Sequence, residues 1–272
     1  MFNFLKSIGL ILLILTCSSF YNPEEKVSIS VYQEGIYLVS LNTLLCKNCI
    51  KPYVSNGLET VKTIAEKTAT PIALNAGFFD PHNKETISYI NKNGKTLASP
   101  ETNQNLMQNP NIQKYLPLIL NRSEFRSMQC PSGEKYDITA HNKPLEENCT
   151  LNYSMQAGPQ LLPNIQLENE AFTAYENGTL IKESASALHK TARTAVGIKD
   201  NLVTFVIVTN QNPMTLEELA NLFQQLDFQK AMAFDGGSST SLYLKYDKYD
   251  LNVVSAKENT ARKIKSAILI NP

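Results

Sequence analysis

The chain is 272 residues long, and its 25 Lys plus Arg balance its 25 Asp plus Glu, for a formal net charge of zero. That balance excludes the basic excess expected of a nucleic-acid partner. Hydrophobic residues at 43%, with 12 Tyr and 11 Phe, support a substantial core and exclude disorder on a large scale.

Residues 1–20 stand apart from the rest. Lys6 precedes the apolar run Ile8 to Leu15. That run is too short to span a bilayer, so the segment is expected to be a secretory signal. Leu15-Thr16-Cys17 leaves its fate open: acylation of Cys17, as in a bacterial lipoprotein, stands against ordinary cleavage near Ser18 or Ser19. Thr16 replaces the Gly or Ala that usually precedes an acylated Cys. The mature domain is expected over residues 25–272, exported to a periplasm or cell surface, touching a membrane only through a lipid on Cys17.

In chain order, residues 26–32 and 35–41 read as two strands joined at Gln33-Glu34-Gly35, a hairpin. Residues 46–53 read as a loop pinned by Cys46 and Cys49. Leu58, Val61, Ile64 and Ala65 recur at helical spacing, with Ser55 or Asn56 available as the cap. Residues 71–79 read as a buried strand running into Asn75-Ala-Gly-Phe-Phe-Asp80. Residues 91–150 are rich in Asn, Gln, Pro and Ser with weak periodicity, and are expected to be a loop-rich insertion. Asn-x-Ser/Thr triplets at Asn121, Asn148, Asn152 and Asn177 matter only in a host that glycosylates exported proteins.

The second half has clearer signals. Residues 194–199 and 202–209 flank Asp200-Asn201 as hairpin strands do. Thr215-Leu-Glu-Glu218 is a capping box, with Met214 placed to staple onto Leu219. Leu216, Leu219, Ala220, Phe223 and Leu226 then form one helical stripe. Strands follow at 230–234, 241–246 and 267–270. The whole predicts an α+β (mixed α/β) single domain: a mixed, mostly antiparallel sheet flanked by helices.

Setting Cys17 aside leaves Cys46, Cys49, Cys130 and Cys149, an even number suited to an oxidising compartment. The favoured reading is two structural disulfides, Cys46–Cys49 and Cys130–Cys149. A four-cysteine zinc site and a redox-active Cys46–Cys49 pair are the alternatives.

The chemistry concentrates at Asp235-Gly-Gly-Ser-Ser-Thr240, which follows a buried strand. Adjacent glycines let successive N–H groups of Gly236 and Gly237 point into one concavity, and such nests bind anions. Ser238, Ser239 and Thr240 add hydroxyls, and Asp235 can serve as acid, base or cation ligand. A plain Asp-Gly hairpin turn is the competing reading. Asn75 and Gly77 end another buried strand, Gln156 and Gly158 share the turn Gln156-Ala-Gly-Pro159, and Arg193 and Thr194 open a further strand. An Arg there can hold a phosphate through two nitrogens, or form a surface ion pair.

Taken together, Asn75-Ala-Gly-Phe-Phe, Gln156-Ala-Gly-Pro, Ala192-Arg-Thr-Ala-Val-Gly, the Thr215-Leu-Glu-Glu-Leu-Ala helix and Phe234-Asp-Gly-Gly-Ser-Ser-Thr resemble the phosphodiester glycosidase family, in the family's order. The resemblance implies hydrolysis of a sugar-1-phosphodiester in a glycan or cell-envelope substrate, with no required cofactor and a divalent cation admissible. It places Asn75, Gly77, Arg193, Asp235, Gly236, Gly237 and Ser238 in the site. Many relatives carry glycine where this chain has Ser238. On this expectation Arg193 and the Gly236 and Gly237 amides hold phosphate, Asp235 does acid/base work, and Asn75 and Ser238 hold oxygens. Asp80 and Glu217 are candidates for a second carboxylate. A metal-assisted phosphodiesterase using Asp235 and Asp80, and a non-catalytic glycan-binding envelope protein, are the rivals.

Overall fold

The computed structural model describes residues 21–256 and 260–272. The expected signal segment and Cys17 lie outside the described residues. The hairpin is present as β1 (Val27–Gln33) and β2 (Ile36–Asn42). β3 (Ile50–Glu59) follows directly on Cys49, so the 46–53 loop is shorter than expected. Helix α1 (Val61–Lys67) takes Thr60 as its cap, not Ser55 or Asn56: the Thr60 hydroxyl accepts from the Thr63 N–H, while 55 and 56 belong to β3. β4 (Ile72–Asn75) ends early, where the chain leaves the sheet at Asn75.

Residues 91–150 are not loop-rich. The segment holds β5 (Ile90–Lys92), β6 (Lys95–Ala98), short helices α2 (Gln104–Met107) and α3 (Leu116–Leu120), then β7 (Ser123–Cys130), β8 (Gly133–Ala140) and the start of β9 (Thr150–Gln156). Its strands escaped notice because β7 reads Ser-Glu-Phe-Arg-Ser-Met-Gln-Cys yet is buried on both faces, so polar residues stand where a half-buried strand would show alternation. The remainder comprises β10 (Gln160–Leu162), β11 (Thr173–Glu176), β12 (Thr179–Glu183), β13 (Arg193–Lys199), β14 (Leu202–Val208), α4 (Leu216–Gln225), β15 (Lys230–Ala233), β16 (Ser241–Tyr246), β17 (Tyr249–Val254) and β18 (Ile264–Ile270). The capping box on α4 is intact, with Thr215 and Glu218 exchanging side-chain-to-backbone bonds.

The strands form a six-stranded sheet ordered β1-β2-β14-β13-β15-β10, two five-stranded sheets ordered β17-β16-β4-β18-β3 and β6-β5-β9-β7-β8, and the isolated pair β11-β12. Every pairing among the described residues is antiparallel, so the expected mixed sheet is corrected to antiparallel sheets in a strand-rich domain. Pro52 falls on β3, an edge strand, where a missing N–H is tolerated. One core draws on all three large sheets: Val39, Phe205 and Met232 meet Leu74, Leu242 and Ile268, and both meet Phe125, Tyr153 and Met155. The 91–150 segment therefore shares the domain's core. Leu216, Leu219 and Phe223 of α4 pack with Ile36, Leu38 and Val206 of the six-stranded sheet.

Both cysteine pairs are bridged, Cys46–Cys49 and Cys130–Cys149, which removes the four-cysteine zinc alternative. Among the described residues no helix is long and apolar enough to cross a membrane.

Candidate active site

Three of the sequence blocks converge on Asn75. Its side chain is buried at 1% exposure, its Nδ2 donates to the Asp235 carbonyl at 2.5 Å, and its Oδ1 accepts from the Thr194 hydroxyl at 2.7 Å and the Ser241 N–H at 3.1 Å. Asn75 thus joins β4, β13 and the 235–241 turn, and its polar atoms are spent on protein. Thr194 is the buried partner in that joint.

The turn after β15 is held from several directions. Asp235 N–H donates to Ala76 O at 2.9 Å and Gly237 N–H to Ala192 O at 2.7 Å. Gly237 sits at φ +59, in the left-handed region that glycine enters freely. Ser239 N–H donates to Gly236 O and Thr240 N–H to Gly237 O, closing a single 3-10 turn over Gly237–Ser239. The anion nest expected of Gly236 and Gly237 is therefore occupied from within: the Gly236 N–H serves the Asp235 carboxylate and the Gly237 N–H serves Ala192. Ser238 has no positive φ, so its side chain is accommodated without backbone strain.

Asp235 is the titratable group of this turn. Its carboxyl is pushed up to about 6 by burial, against the opposing pull of the Ser239 hydroxyl, the Arg262 charge and the Gly236 N–H. Arg262 reaches over the Phe79 ring, 5.4 Å to its centroid, and donates to Ser238 Oγ at 3.1 Å. Asp235 also lines a cavity of about 300 Å³ with Phe78, Phe79, Phe172, Arg122, Lys182 and Ser184.

Arg122 and Lys182 are the cations of that cavity. Arg122 is buried at 6% exposure, with its guanidinium 4.0 Å from the Phe172 ring centroid and its Nε donating to Glu170 O at 2.9 Å. Burial lowers it to about 10, opposed by the Glu170 charge. Burial likewise lowers the Lys182 ammonium to about 8, with Arg122 adding repulsion. Lys182 bonds Ala171 O and Ser184 Oγ.

Arg193 does something other than expected. It is 3% exposed and donates to Met214 O, Ala185 O, Ser186 O and His189 O at 2.7–3.2 Å. Those bonds leave little of its fork for a phosphate; they pin the 185–189 loop, and Ala185 lines the cavity. Gln156 plays a similar part, donating to Leu120 O and Arg122 O at 2.8 and 3.3 Å and so fixing the backbone that carries Arg122. Gly158 stands at φ +85 where a Cβ would lie 2.0 Å from Glu170 Oε2, and Gly77 N–H donates to Ser266 Oγ at 3.0 Å.

Neither expected second carboxylate joins Asp235. Asp80 accepts from His82 N–H and Asn105 Nδ2 at 2.8 and 2.9 Å, and Glu217 is exposed on α4. Among the described residues no three His, Cys, Asp or Glu gather as a metal site would require. Reasoning from sequence missed Arg122, Lys182 and Arg262. None sits in a glycine-bearing block, and the one local signal, Arg122 directly before a strand, is common.

The profile of the phosphodiester glycosidase family matches residues 68–271. A comparison with curated proteins gives no match. Among solved structures, the catalytic domain of zebrafish N-acetylglucosamine-1-phosphodiester alpha-N-acetylglucosaminidase superposes with a TM-score of 0.61 at 16% identity, over 90% of this chain and 82% of that one. A hypothetical protein from Synechocystis gives 0.56 at 17% identity over 89% of this chain, which spans 61% of that protein. A protein from Burkholderia pseudomallei described as exported gives 0.55 at 11%, covering 87% and 74%. At these identities the likenesses concern the fold.

Proposed function

This chain belongs to the phosphodiester glycosidase family, and on that premise we propose that it is an exported hydrolase cleaving a glycosyl phosphodiester between the sugar's anomeric carbon and the phosphate oxygen. The observation that carries the reading is one cavity lined by the Asp235 carboxyl, raised to about 6, and by two cations, the buried Arg122 and the half-buried Lys182. A diester phosphate carries one negative charge and leaves with the bond's electron pair, so the site must hold that charge more than it must protonate the leaving oxygen. Arg122 and Lys182 supply the charge. Asp235, ionised at neutral pH, accepts a proton from the water whose oxygen bonds to the anomeric carbon, yielding free sugar and a phosphate monoester.

The sequence-based role for Arg193 is revised in this reading from phosphate ligand to positioning residue. Asn75 and Thr194 likewise hold Asp235 in place, while Ser238, Ser239 and Arg262 form the polar flank on the sugar side. The step uses side chains alone, so hydrolysis should survive chelation of divalent cations. Export is supported by the two disulfides, which persist in oxidising compartments.

The test is hydrolysis of a panel of glycosyl phosphodiesters by wild type, Asp235→Asn and Arg122→Gln. Loss of kcat/KM by about 10²–10⁴ in Asp235→Asn is expected, with a KM-dominated loss in Arg122→Gln. Wild-type rates in a folded Asp235→Asn variant would sink the reading. Binding of glycan without turnover would favour the envelope-binding alternative.

A further inference from the structure

The aliphatic part of the cavity beside Asp235 is poorly suited to a sugar. Of the side chains lining it, only Arg122, Lys182, Ser184 and Asp235 are polar. Three of those are committed to phosphate and to proton transfer, which leaves one hydroxyl for a ring that would present several. The rest of the lining is apolar, and a large part is aliphatic: Ile87, Leu106, Ile112 and Ile119. Aliphatic branches offer neither hydrogen bonds nor a flat face for stacking on a sugar. Leu106 and Ile119 belong to a small cluster against which Ile87, Ile112 and Leu116 pack, so this wall is continuous with its own apolar support.

The surroundings of Asp235 are asymmetric in a way that assigns the two ends of a substrate. Ser238, Ser239 and Arg262 are polar and stand outside the cavity lining, with Arg262 over the ring of Phe79, which belongs to it. The cavity itself is apolar apart from Ser184, Asp235 and its two cations. The bond broken must lie at Asp235, so the sugar falls on the polar flank, the phosphate falls against Arg122 and Lys182, and whatever is esterified to the phosphate continues into the aliphatic part. Apolar surface does not stop at the cavity. Leu118 on α3, Leu180 and Ile181 on β12, and Leu188 in the following loop are each 38–45% exposed on segments that also supply the lining. Among the described residues the β11-β12 pair joins no larger sheet, and it meets the turn before α3, where Lys182 lies 5.3 Å from the Tyr115 ring.

We propose that the aglycone is a hydrocarbon chain, making the substrate a glycosyl phosphodiester of a lipid alcohol, with Ile87, Leu106, Ile112 and Ile119 as the residues that select it. This rests on the reading of Asp235, Arg122 and Lys182 as the hydrolytic site. The products are then a free sugar and an alkyl phosphate monoester, so no co-reactant beyond water is required. A chain entering an aliphatic cavity gains by leaving water, and each buried methylene adds to the gain.

Two phosphodiesters of the same sugar, one with a methyl and one with a decyl aglycone, separate the possibilities when assayed below the micellar concentration of the decyl compound. The expected result is a kcat/KM at least tenfold higher for decyl. That ratio should collapse towards one in Ile87→Asn and Ile112→Asn, both half-buried positions. Equal cleavage of methyl and decyl compounds overturns the proposal while leaving the hydrolytic reading standing. Should neither be cleaved, calorimetric binding of decyl phosphate against methyl phosphate still decides the subsite. Tighter binding of decyl phosphate that weakens in Ile112→Asn supports it, and equal binding overturns it.

Discussion

Asp235 holds a charge that its surroundings resist, and this has opposite consequences for stability and for catalysis. A folded-state carboxyl raised from 3.8 to about 6 favours folding at low pH, and that advantage is lost as pH rises through about 6. At neutral pH the ionised group therefore costs on the order of 3 kcal/mol. Asp235→Asn should be more stable than wild type at pH 8 and gain nothing at pH 4, a crossover that thermal unfolding across pH would reveal. In the wild type, the same ionisation should make kcat/KM rise through about pH 6. Lys182 sets the other limb: its ammonium, lowered to about 8 by burial, loses its charge above that pH and releases the phosphate. Lys182→Met should abolish the alkaline decline while raising KM at pH 7. A decline that persisted in Lys182→Met would remove the lysine from the site. At this scale the sequence was a partial guide. Asp235 stood out because two glycines and three hydroxyls beside it mark an unusual turn. Arg122, Lys182 and Arg262 did not, because nothing local distinguishes a cation at a site, whether lining the cavity as Arg122 and Lys182 do or beside Asp235 as Arg262 does, from one in solvent. Arg193 shows the converse: its block is recognisable, but only the fold reveals that its fork is occupied by carbonyls.

The elements that were legible are those whose own sequence dictates their shape. The capping box on α4 and the hairpins β1-β2 and β13-β14 satisfy local rules and are present. The β5–β9 sheet obeys no such rule, since its buried faces carry Ser127, Arg126, Glu124 and Ser154 among the apolar residues. These polar groups are satisfied across strands and loops, as where Arg126 Nε meets Glu124 at 2.5 Å and His141 Nδ1 meets the same carboxylate at 2.6 Å. Only pairing makes such a strand intelligible. The turn between β9 and β10 offers a test of how tightly the cavity floor is built. Gly158→Ala would thrust a methyl group to 2.0 Å from Glu170 Oε2, and Glu170 holds Ser123 N–H, Ser123 Oγ and Gln160 N–H. A loss of about 2–3 kcal/mol is expected. Gly94→Ala, at φ +72 but facing open space, should cost only about 1 kcal/mol. Similar losses at the two positions, read by denaturant unfolding, would mean the Glu170 contact carries little.

On the scale of the molecule, three antiparallel sheets share a core and present their strand ends to one cavity. The Cys130–Cys149 bridge closes a span of 19 residues that connects β7 and β8 to β9. By loop-closure entropy it contributes on the order of 3 kcal/mol, so Cys130→Ser with Cys149→Ser should lower stability by about that much without changing KM. A shift in KM instead would mean that the bridge shapes the cavity. The joint at Asn75 has a further consequence. Its three bonds reach across separations of 160, 119 and 166 residues, so the catalytic turn is defined by parts of the chain that are far apart when synthesis ends. Contacts of that span form slowly, because the intervening loops must close before any of them is rewarded. Hydrolytic competence should therefore appear only with the completed fold. If the proposed activity holds, fragments lacking β4, β13 or β16 should show no hydrolysis of the glycosyl phosphodiester panel.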